Sequence, residues 1–476
     1  MKVIDKKWLT VSDFIILLTI VTSAFTIIPI VLLPFLILVL ISIYYVANRS
    51  ENFINLNHYN KNYKDFRFWL IFFTLYSLIF AFILGVNIFD WQLYRFQFRF
   101  VFPFIFLLLA SLLRYSINVV LYIKYILFGI GIFQLIFFLF SIFYFMHNNE
   151  HQFFGNTYIW QFNGSYFSYI GPFLSAVSAG AFFAVISVYY LTFLLISNNN
   201  VKEKIILYIL LISSMVELSL SYARGAILSL FVILFFLIII QIKNHKFTKT
   251  MLISILTLLL IVITLNHNKI IKTVKPAVVT VKPAVINLYR KTIFYKILPK
   301  SINRLFYHHH NIIVRFIRYG LYINYFIKSP LFGIGPSTST SAHIQTLLVP
   351  FKLPIKQDLL FYSPLKYLKI NHFIYFNQWK DTVFIDDEAN NVYLGILGEG
   401  GIILFSAFIL MYYLIFKNLY RLFKNTKNIY IKELSAGTLY SLIVLAIFSL
   451  TGNYLLAVEP LVMVFAISSY LLSFEK

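Results

Sequence analysis

The 476-residue sequence contains no cysteine, which excludes disulfide bonds and thiolate metal ligands. Charged residues are also scarce: they make up 12% of the chain, whereas 60% of the residues are hydrophobic. A soluble protein of this length has no core large enough to bury that much apolar surface. The sequence therefore predicts a protein whose surroundings are largely lipid.

Acidic residues are the scarcer of the charged groups, because 17 Asp and Glu stand against 40 Lys and Arg and leave a formal net charge of +23. The basic residues lie between long hydrophobic runs, which is where a bilayer requires the charges that set topology. This placement favours a membrane protein, and we expect no nucleic-acid partner.

Apolar stretches of the roughly 17–25 residues that a membrane-crossing helix needs recur along the chain. They predict an all-α polytopic membrane protein with about 12 transmembrane helices and one large extracytoplasmic loop. Residues 1–266 hold helices 1–9, residues 267–388 form the loop with its amphipathic helices, and residues 389–476 hold helices 10–12. The predicted spans are 12–29, 31–47, 68–86, 100–113, 117–146, 171–196, 205–222, 226–242, 251–266, 391–416, 433–451 and 455–473.

The lysines and arginines of the short loops predict the orientation. With both termini in the cytoplasm, 19 of them fall in inner segments and 3 in short outer loops. The long segment 267–388 then lies outside with 17 Lys and Arg against 5 Asp and Glu, because long loops cross the membrane largely regardless of their charge. A basic outer surface indicates an anionic partner, either phospholipid headgroups or a lipid-linked pyrophosphate.

The first candidate site is the segment around Arg224, at the outer end of the seventh predicted span. Glu217, Ser221 and Arg224 are predicted to share one helix face. Arg224 could donate a bidentate pair of hydrogen bonds to phosphate oxygens, or it could be a snorkelling arginine that ends the helix before a turn at Gly225. A carboxylate inside the bilayer is costly, so Glu217 is expected to have a partner, either Lys124 or the Arg224 cluster.

The second candidate site lies in the large loop. Arg315 and Arg318 are one helical turn apart on a predicted helix, Tyr319 and Tyr322 continue that face, and Ser329-Pro330 ends the helix. Two arginines on one face above a membrane form a plausible diphosphate clamp. The alternative is an interfacial helix that holds anionic lipid headgroups.

The third candidate site is acidic. Asp387 and Glu388 lie just before the tenth predicted span, and either could be a general base that activates a sugar hydroxyl, or a carboxylate that meets the helix dipole. Asn390 follows them, and Glu399 is predicted two turns into the membrane, as a helix-packing residue or a pocket acid. No pattern specifies a metal or a cofactor, and we expect none.

Arg95 and Arg99 form an outer basic and aromatic ridge together with Trp91 and Tyr94. Such a ridge is typical of an interfacial belt, and it could also contribute to a headgroup pocket.

The layout and three motifs resemble the O-antigen polymerase and O-antigen ligase superfamily. The layout is a twelve-span protein with a large, late external loop. The motifs are S-x-x-R-G-A (Ser221, Arg224, Gly225, Ala226), R-x-x-R followed by P-L-F-G-I-G (Arg315, Arg318, Pro330, Gly333, Gly335), and an Asn-rich helix start with L-x-E-x-G (Asn390, Asn391, Leu397, Glu399, Gly401).

This resemblance implies a metal-independent glycosyltransferase in the bacterial cytoplasmic membrane that transfers a growing glycan from undecaprenyl pyrophosphate to a lipid-linked repeat unit. Arg224, Arg315 and Arg318 would hold the donor pyrophosphate, and a carboxylate or histidine nearby would deprotonate the acceptor. Membrane lipids, a flippase and a chain-length regulator would be its partners. The remaining candidates would contact substrate: Arg95, Arg99, Glu217, Ser221, Tyr319, Tyr322, Asn390 and Glu399.

The sequence departs from the ligase at one point. The ligase pattern resembles His-Asn-x-x-Leu at this helix start, whereas here Glu388 or Ala389 precedes Asn390. The departure favours a polymerase, with the ligase as the nearest alternative. A flippase is the alternative of a different class, but it tends to have two related halves and charges at the membrane midplane, and this chain has no evident half repeat.

Overall fold

The computed structural model describes residues 10–24, 65–83, 102–113, 115–148, 153–154, 157–158, 160–162, 167–173, 176–196, 200–243, 310–333, 391–450 and 458–474. The helices are α1 (Val11–Thr22), α2 (Phe66–Ile83), α3 (Phe102–Leu112), α4 (Val119–Asn148), α5 (Ala176–Ile196), α6 (Val201–Leu220), α7 (Arg224–Lys243), α8 (His310–Lys328), α9 (Val392–Asn425), α10 (Ile429–Phe448) and α11 (Val458–Leu472). Between α4 and α5 lie the strands β1 (Phe153–Phe154), β2 (Thr157–Tyr158), β3 (Trp160–Phe162) and β4 (Phe167–Tyr169).

Helices lie where the sequence predicts spans. The predicted spans 31–47 and 251–266 fall outside the described residues, and each of the others coincides with a helix. Of the described helices, Val119–Phe143, Val177–Ile196, Val392–Asn425 and Ile429–Phe448 are long and apolar enough to cross a membrane. The chain is therefore a helical membrane protein, while the number of twelve spans and the side on which the loop lies stay predictions.

Two small antiparallel hairpins, β1–β2 and β3–β4, occupy the segment between α4 and α5. The sequence did not predict them, because strands of two or three residues are too short to show a periodicity. Tyr169 of β4 is fully buried, and its ring lies 5.0 Å from Phe138 of α4 and 6.0 Å from Phe183 of α5. The hairpin β3–β4 thereby packs onto the helices at one end of the bundle.

Polar side chains mark the starts of several helices. At α1, the Asp13 amide donates to Thr10 Oγ1 at 3.1 Å, and the Asp13 carboxylate accepts the Thr10 amide at 2.7 Å. This reciprocal pair satisfies two donors that an α-helix leaves open at its start. The other oxygen of Asp13 accepts the Ser116 amide at 2.9 Å, so the same residue ties the start of α1 to the segment before α4.

The centre of the bundle is α5, which is apolar and buried on every side. A helix without a polar face is expected only where other helices or lipid surround it. Gly437 of α10 leaves room for the ring of Tyr189, and the Tyr189 hydroxyl lies 3.0 Å from Thr438 Oγ1. On another side of α5, Ser187 Oγ lies 2.7 Å from Ser214 Oγ of α6. Small residues and hydroxyl pairs are the usual means by which helices associate in lipid.

A buried ion pair joins α4 to α10. Lys124 Nζ lies 3.1 Å from Glu433 Oε2, and it also lies over the rings of Phe193 and Tyr430, at 5.3 and 5.5 Å from their centroids. One of the two partners predicted for Glu217 is therefore wrong, because Lys124 pairs with Glu433. We call this part of the molecule the Lys124 end.

The contacts of α5 show which segments lie at the opposite end. Gly180, near the start of α5, contacts Ser221 and Ala223, whereas Phe193, near its finish, contacts Lys124. Since α10 begins at the Lys124 end and runs the other way, its last residues lie with the Ser221–Arg224 segment. We call this the Arg224 end, and the topology predicted from the sequence places it outside the cell.

The pair Lys124–Glu433 gives a stability prediction. Lys124→Met leaves a carboxylate buried without its lysine and is expected to destabilise the protein by about 3–5 kcal/mol, because an unpaired buried charge is costly. Adding Glu433→Leu removes the charge as well and is expected to restore most of the stability. Thermal unfolding midpoints of the purified variants in one detergent measure both effects. A Lys124→Met protein as stable as the wild type would contradict the prediction.

Candidate functional site

The turn before Arg224 begins where α6 ends. The Ser221 amide donates to the Glu217 carbonyl at 2.9 Å, and Tyr222 then adopts a left-handed conformation with φ of 55°. That conformation stops the helix, and α7 begins at Arg224. The sequence predicted that Arg224 shares a helix face with Glu217. That prediction is wrong, because α6 ends and the chain reverses between the two residues. Gly225, predicted as a possible turn residue, lies inside the first turn of α7.

The turn is fixed against α5. Ser221 Oγ donates to the Leu218 carbonyl at 2.6 Å and accepts the Ala223 amide at 3.3 Å, and Ser221 is 1% exposed. Gly180 has no room for a side chain, because a Cβ there would overlap Ala223 and Ser221. Close packing of small residues therefore holds the backbone on either side of Tyr222. Ser221 acts in this packing, while its predicted contact with substrate stays a prediction.

Arg224 is exposed, and among the described residues its guanidinium takes part in no hydrogen bond and no ion pair. A cation without a carboxylate partner in the described part of the chain, on a backbone held by packing, is suited to binding an anion from outside.

Glu217 is buried beneath this turn and is 1% exposed. Its Oε1 accepts Ser213 Oγ at 2.7 Å, and Oε2 has no hydrogen-bond partner among the described residues. Tyr169 lies nearby: burial, and secondarily the Glu217 carboxylate, raise the pKa of the Tyr169 hydroxyl well above its usual value. Glu217 is thus enclosed with polar neighbours, and its predicted contact with substrate stays a prediction.

The helix α8 carries the two loop arginines. It ends at Lys328, directly before Ser329-Pro330, which confirms the predicted end. Arg315 is exposed, and among the described residues its guanidinium forms no ion pair or hydrogen bond; Arg318 lies one turn further along the same helix.

One face of α8 packs against α9. Tyr322 and Tyr325 are 2% and 1% exposed. A Cβ on Gly398 would lie 2.8 Å from the Tyr322 ring and 3.0 Å from its carbonyl oxygen. Tyr322 therefore has a packing role between the two helices, and its predicted contact with substrate stays a prediction.

Two glycines join the turn after α8 to the middle of α9. Gly333 and Gly401 both have positive φ, 69° and 65°, which only glycine adopts without strain. A side chain on Gly333 would overlap the backbone of Glu399, and one on Gly401 would overlap the Leu331 carbonyl. The two segments therefore meet backbone to backbone, and we call this the Gly333–Gly401 contact.

The same contact supplies hydrogen bonds that α9 lacks. At Gly401 the helix is interrupted, with ψ of −169°. The Ile402 amide donates to the Pro330 carbonyl at 2.9 Å, and the Ile403 amide donates to the Leu331 carbonyl at 3.4 Å. Amides at a helix start need such partners, and in lipid no water can replace them.

The interruption at Gly401 changes the direction of α9. The rings of Tyr393 and Phe408 lie 6.3 Å apart, although a straight helix would separate residues at this spacing by about 22 Å along its axis. Residues 392–400 therefore form a short helix that folds back on 402–425. The predicted tenth span, 391–416, contains this bend, and which part of α9 crosses the membrane stays a prediction. Glu399 lies at this bend and is 8% exposed, while its predicted depth in the membrane stays a prediction.

Three segments meet at the carbonyl of Leu450, just beyond α10. Asn391 Nδ2 donates to it at 3.0 Å, the Tyr319 hydroxyl donates to it at 3.5 Å, and the Val392 amide donates to the neighbouring Ser449 carbonyl at 3.1 Å. We call this the Leu450 junction. It fixes the middle of α8 and the start of α9 to the Arg224 end of the bundle.

Residues 209–409 match the family model described as O-antigen ligase. The predicted resemblance to the O-antigen ligase and polymerase superfamily is thereby confirmed over this segment. No curated protein matches the chain. The matched segment begins in α6 and ends in α9 beyond the bend at Gly401, so it contains the turn at Arg224, the helix α8 and the Gly333–Gly401 contact.

The N-cap fixes where α9 begins. Asn391 is the N-cap, and its Oδ1 accepts the Leu394 amide at 3.0 Å. Asn391-Val392-Tyr393-Leu394 therefore has Asn-x-x-Leu spacing at the start of this helix. The residue in front of this N-cap is Asn390, and the predicted correspondence of Glu388 or Ala389, ahead of Asn390, to the histidine of the ligase pattern stays a prediction.

The structure brings some of the predicted site residues together. Tyr319 meets the start of α9 at the Leu450 junction, Tyr322 and Glu399 lie at the contacts between α8 and α9, and Arg224 lies at the same end of the bundle. Convergence of Arg224, Arg315 and Arg318 on one pocket stays a prediction. Arg95, Arg99, Asp387, Glu388 and Asn390 lie outside the described residues.

Sequence reasoning missed the residues that hold this arrangement. Asn391 and Gly401 stood in the quoted motif, but neither was assigned a role, and Ser449 and Leu450 were not considered. Two adjacent glycines, Gly400 and Gly401, inside an apolar run were the available signal for a break. Among the described residues, no group of three His, Asp or Glu side chains is placed to hold a metal ion.

Proposed function

We propose that this protein is a polymerase of lipid-linked oligosaccharide repeat units. It transfers the growing glycan from undecaprenyl pyrophosphate to an incoming lipid-linked repeat at the outer face of the bacterial cytoplasmic membrane, and the product is an O-antigen, capsule or exopolysaccharide. Both termini are cytoplasmic and the large loop is extracytoplasmic. A flippase supplies the repeats, and a chain-length regulator acts beside the polymerase.

The observation that carries this proposal is the pair of exposed arginines within the family match. Arg224 and Arg315 lack a carboxylate partner among the described residues, and each stands on a backbone fixed by packing. A diphosphate carries the negative charge and the paired oxygens that guanidinium groups bind best. A guanidinium with no acidic partner among the residues that the structure describes keeps that affinity available.

The transfer breaks one bond, forms another and moves one proton. The bond between the sugar C1 and the diphosphate oxygen breaks, its electron pair goes to the diphosphate, and the acceptor hydroxyl oxygen forms the new bond to C1. Arg224, Arg315 and Arg318 stabilise the charge that develops on the leaving diphosphate. Asp387 or Glu388 takes the proton of the acceptor hydroxyl. No step requires a metal ion.

The register at the start of α9 favours the polymerase over the ligase. Where the ligase pattern has a histidine, this chain has Asn390, and a carboxamide does not accept a proton at neutral pH. A polymerase of this family would then take its base from another residue, such as Asp387 or Glu388.

Deletion of the protein from its bacterium tests the assignment. We expect the glycan ladder on a gel to collapse to a single repeat, while that repeat still reaches the outer side of the membrane. Loss of a ligase would instead leave full-length polymer on the lipid carrier. Loss of a flippase would trap the lipid-linked repeat inside, and either of these results would refute the polymerase.

A further inference from the structure

The helix α8 lies across the Arg224 end of the bundle. The Tyr412 hydroxyl donates to the Leu442 carbonyl at 3.4 Å, so these two positions on α9 and α10 are level. From there, Ile402 and Leu450 lie about 15 and 12 Å further along their helices, and hence at nearly the same height. Tyr319 contacts Leu450, and the turn after α8 contacts Ile402. The helix α8 therefore lies nearly perpendicular to the axes of α9 and α10.

The far end of α8 exposes apolar side chains. Ile327, Leu331 and Phe332 are 60%, 56% and 46% exposed, and Lys328 beside them is also exposed. We call these three apolar residues the α8 tip. Three large apolar side chains with one adjacent cation are an unusual pattern for a surface that faces water.

The α8 tip lies at the head of the exposed stripe of α9. Ile402, Ile409, Tyr413 and Tyr420 are all exposed, and their spacing places them on one face of the helix. On a membrane-crossing helix such an apolar face contacts lipid. Since the Leu331 carbonyl accepts the Ile403 amide, the tip continues this lipid-facing stripe at its outer end.

We propose that the α8 tip inserts into the outer leaflet of the bilayer and anchors α8 at a fixed height. The apolar side chains enter the acyl region, and Lys328 reaches the lipid phosphates, as lysines at a membrane boundary do. The occupant of this surface is the bilayer itself. The anchor sets the height of Arg315 on the same helix, and it holds whether or not the protein is a polymerase.

Site-directed spin labelling tests the anchor, and the absence of cysteine makes single labels simple to introduce. We compare Leu331→Cys and Phe332→Cys with the control Asn324→Cys, an exposed polar position one turn before the tip on the same helix. Each labelled protein is placed in nanodiscs of phosphatidylethanolamine and phosphatidylglycerol. Relaxation by oxygen, which concentrates in lipid, and by a water-soluble nickel chelate is then measured.

The tip labels are expected to respond strongly to oxygen and at least several-fold less to nickel than the Asn324 label. A tip that responds to nickel as strongly as Asn324 does lies in water, and the proposal is then wrong. A tip shielded from both reagents is covered by another segment of this chain or by a protein partner, which also overturns it. The result does not depend on glycan synthesis, so it is distinguishable from a failure of the proposed function.

Discussion

Replacing Arg224 by lysine is expected to lower chain extension by about 10²- to 10³-fold, the usual cost of losing one preorganised donor to a developing anion. Lysine keeps the charge but cannot donate two parallel hydrogen bonds to a diphosphate. The measurement is the glycan ladder of a deletion strain that carries the variant. Immunoblots check that the variant protein reaches the membrane in normal amount.

The same substitution separates the two interpretations of Arg224. A snorkelling arginine that only marks the membrane boundary is replaced by lysine without loss, because both side chains snorkel equally well. Arg421→Lys is the matched control, since Arg421 is also exposed but lies on α9 near the Lys124 end. We expect the control to retain the full ladder. A full ladder with Arg224→Lys would exclude the diphosphate role.

Replacing Gly401 by alanine is expected to abolish chain extension and to destabilise the protein. Alanine at φ of 65° costs about 1–2 kcal/mol from the backbone conformation alone, and its Cβ would also overlap the Leu331 carbonyl. The Gly333–Gly401 contact must then open, and the Ile402 amide loses its acceptor. Because α8 is held there, Arg315 would move with it.

Gly129→Ala is the control for this experiment. A Cβ on Gly129 meets nothing within 4 Å, so alanine in the middle of α4 is expected to be neutral or to stabilise by up to about 1 kcal/mol. Thermal unfolding midpoints and glycan ladders are compared for both variants. If Gly401→Ala retains both its midpoint and its ladder, the Gly333–Gly401 contact does not position α8.

The positions of the spans could be predicted from the sequence because a bilayer restricts which residues can cross it. Each stretch that crosses the bilayer must be apolar along its whole length and must satisfy its own backbone hydrogen bonds. The helices α4, α5 and α10 accordingly lie close to their predicted limits. The bend at Gly401 was missed because the residues on both sides of it are compatible with one continuous helix.

The sequence predicted which residues form the candidate site, but it did not predict which of them contact one another. The end of α8 at Ser329-Pro330 followed from proline chemistry, and the arginines were recognised by residue type and position. Lys124, one of the two partners considered for Glu217, pairs with Glu433 instead, because the choice between two buried carboxylates depends on which helices are neighbours. Tertiary packing placed Lys124 beside Glu433, 309 residues away.

The sequence by itself determined that this chain is a membrane protein, and it determined which segments are helical. Composition and hydropathy are local properties, so every arrangement of the helices would share them. It also indicated the resemblance to the O-antigen ligase and polymerase superfamily, through three motifs and the layout of the spans. Only the tertiary structure decided that Gly333 meets Gly401, that Asn391 and Tyr319 meet at Leu450, and that Arg224 begins a new helix. These are contacts between backbones distant in the chain, and neither hydropathy nor spacing carries information about them.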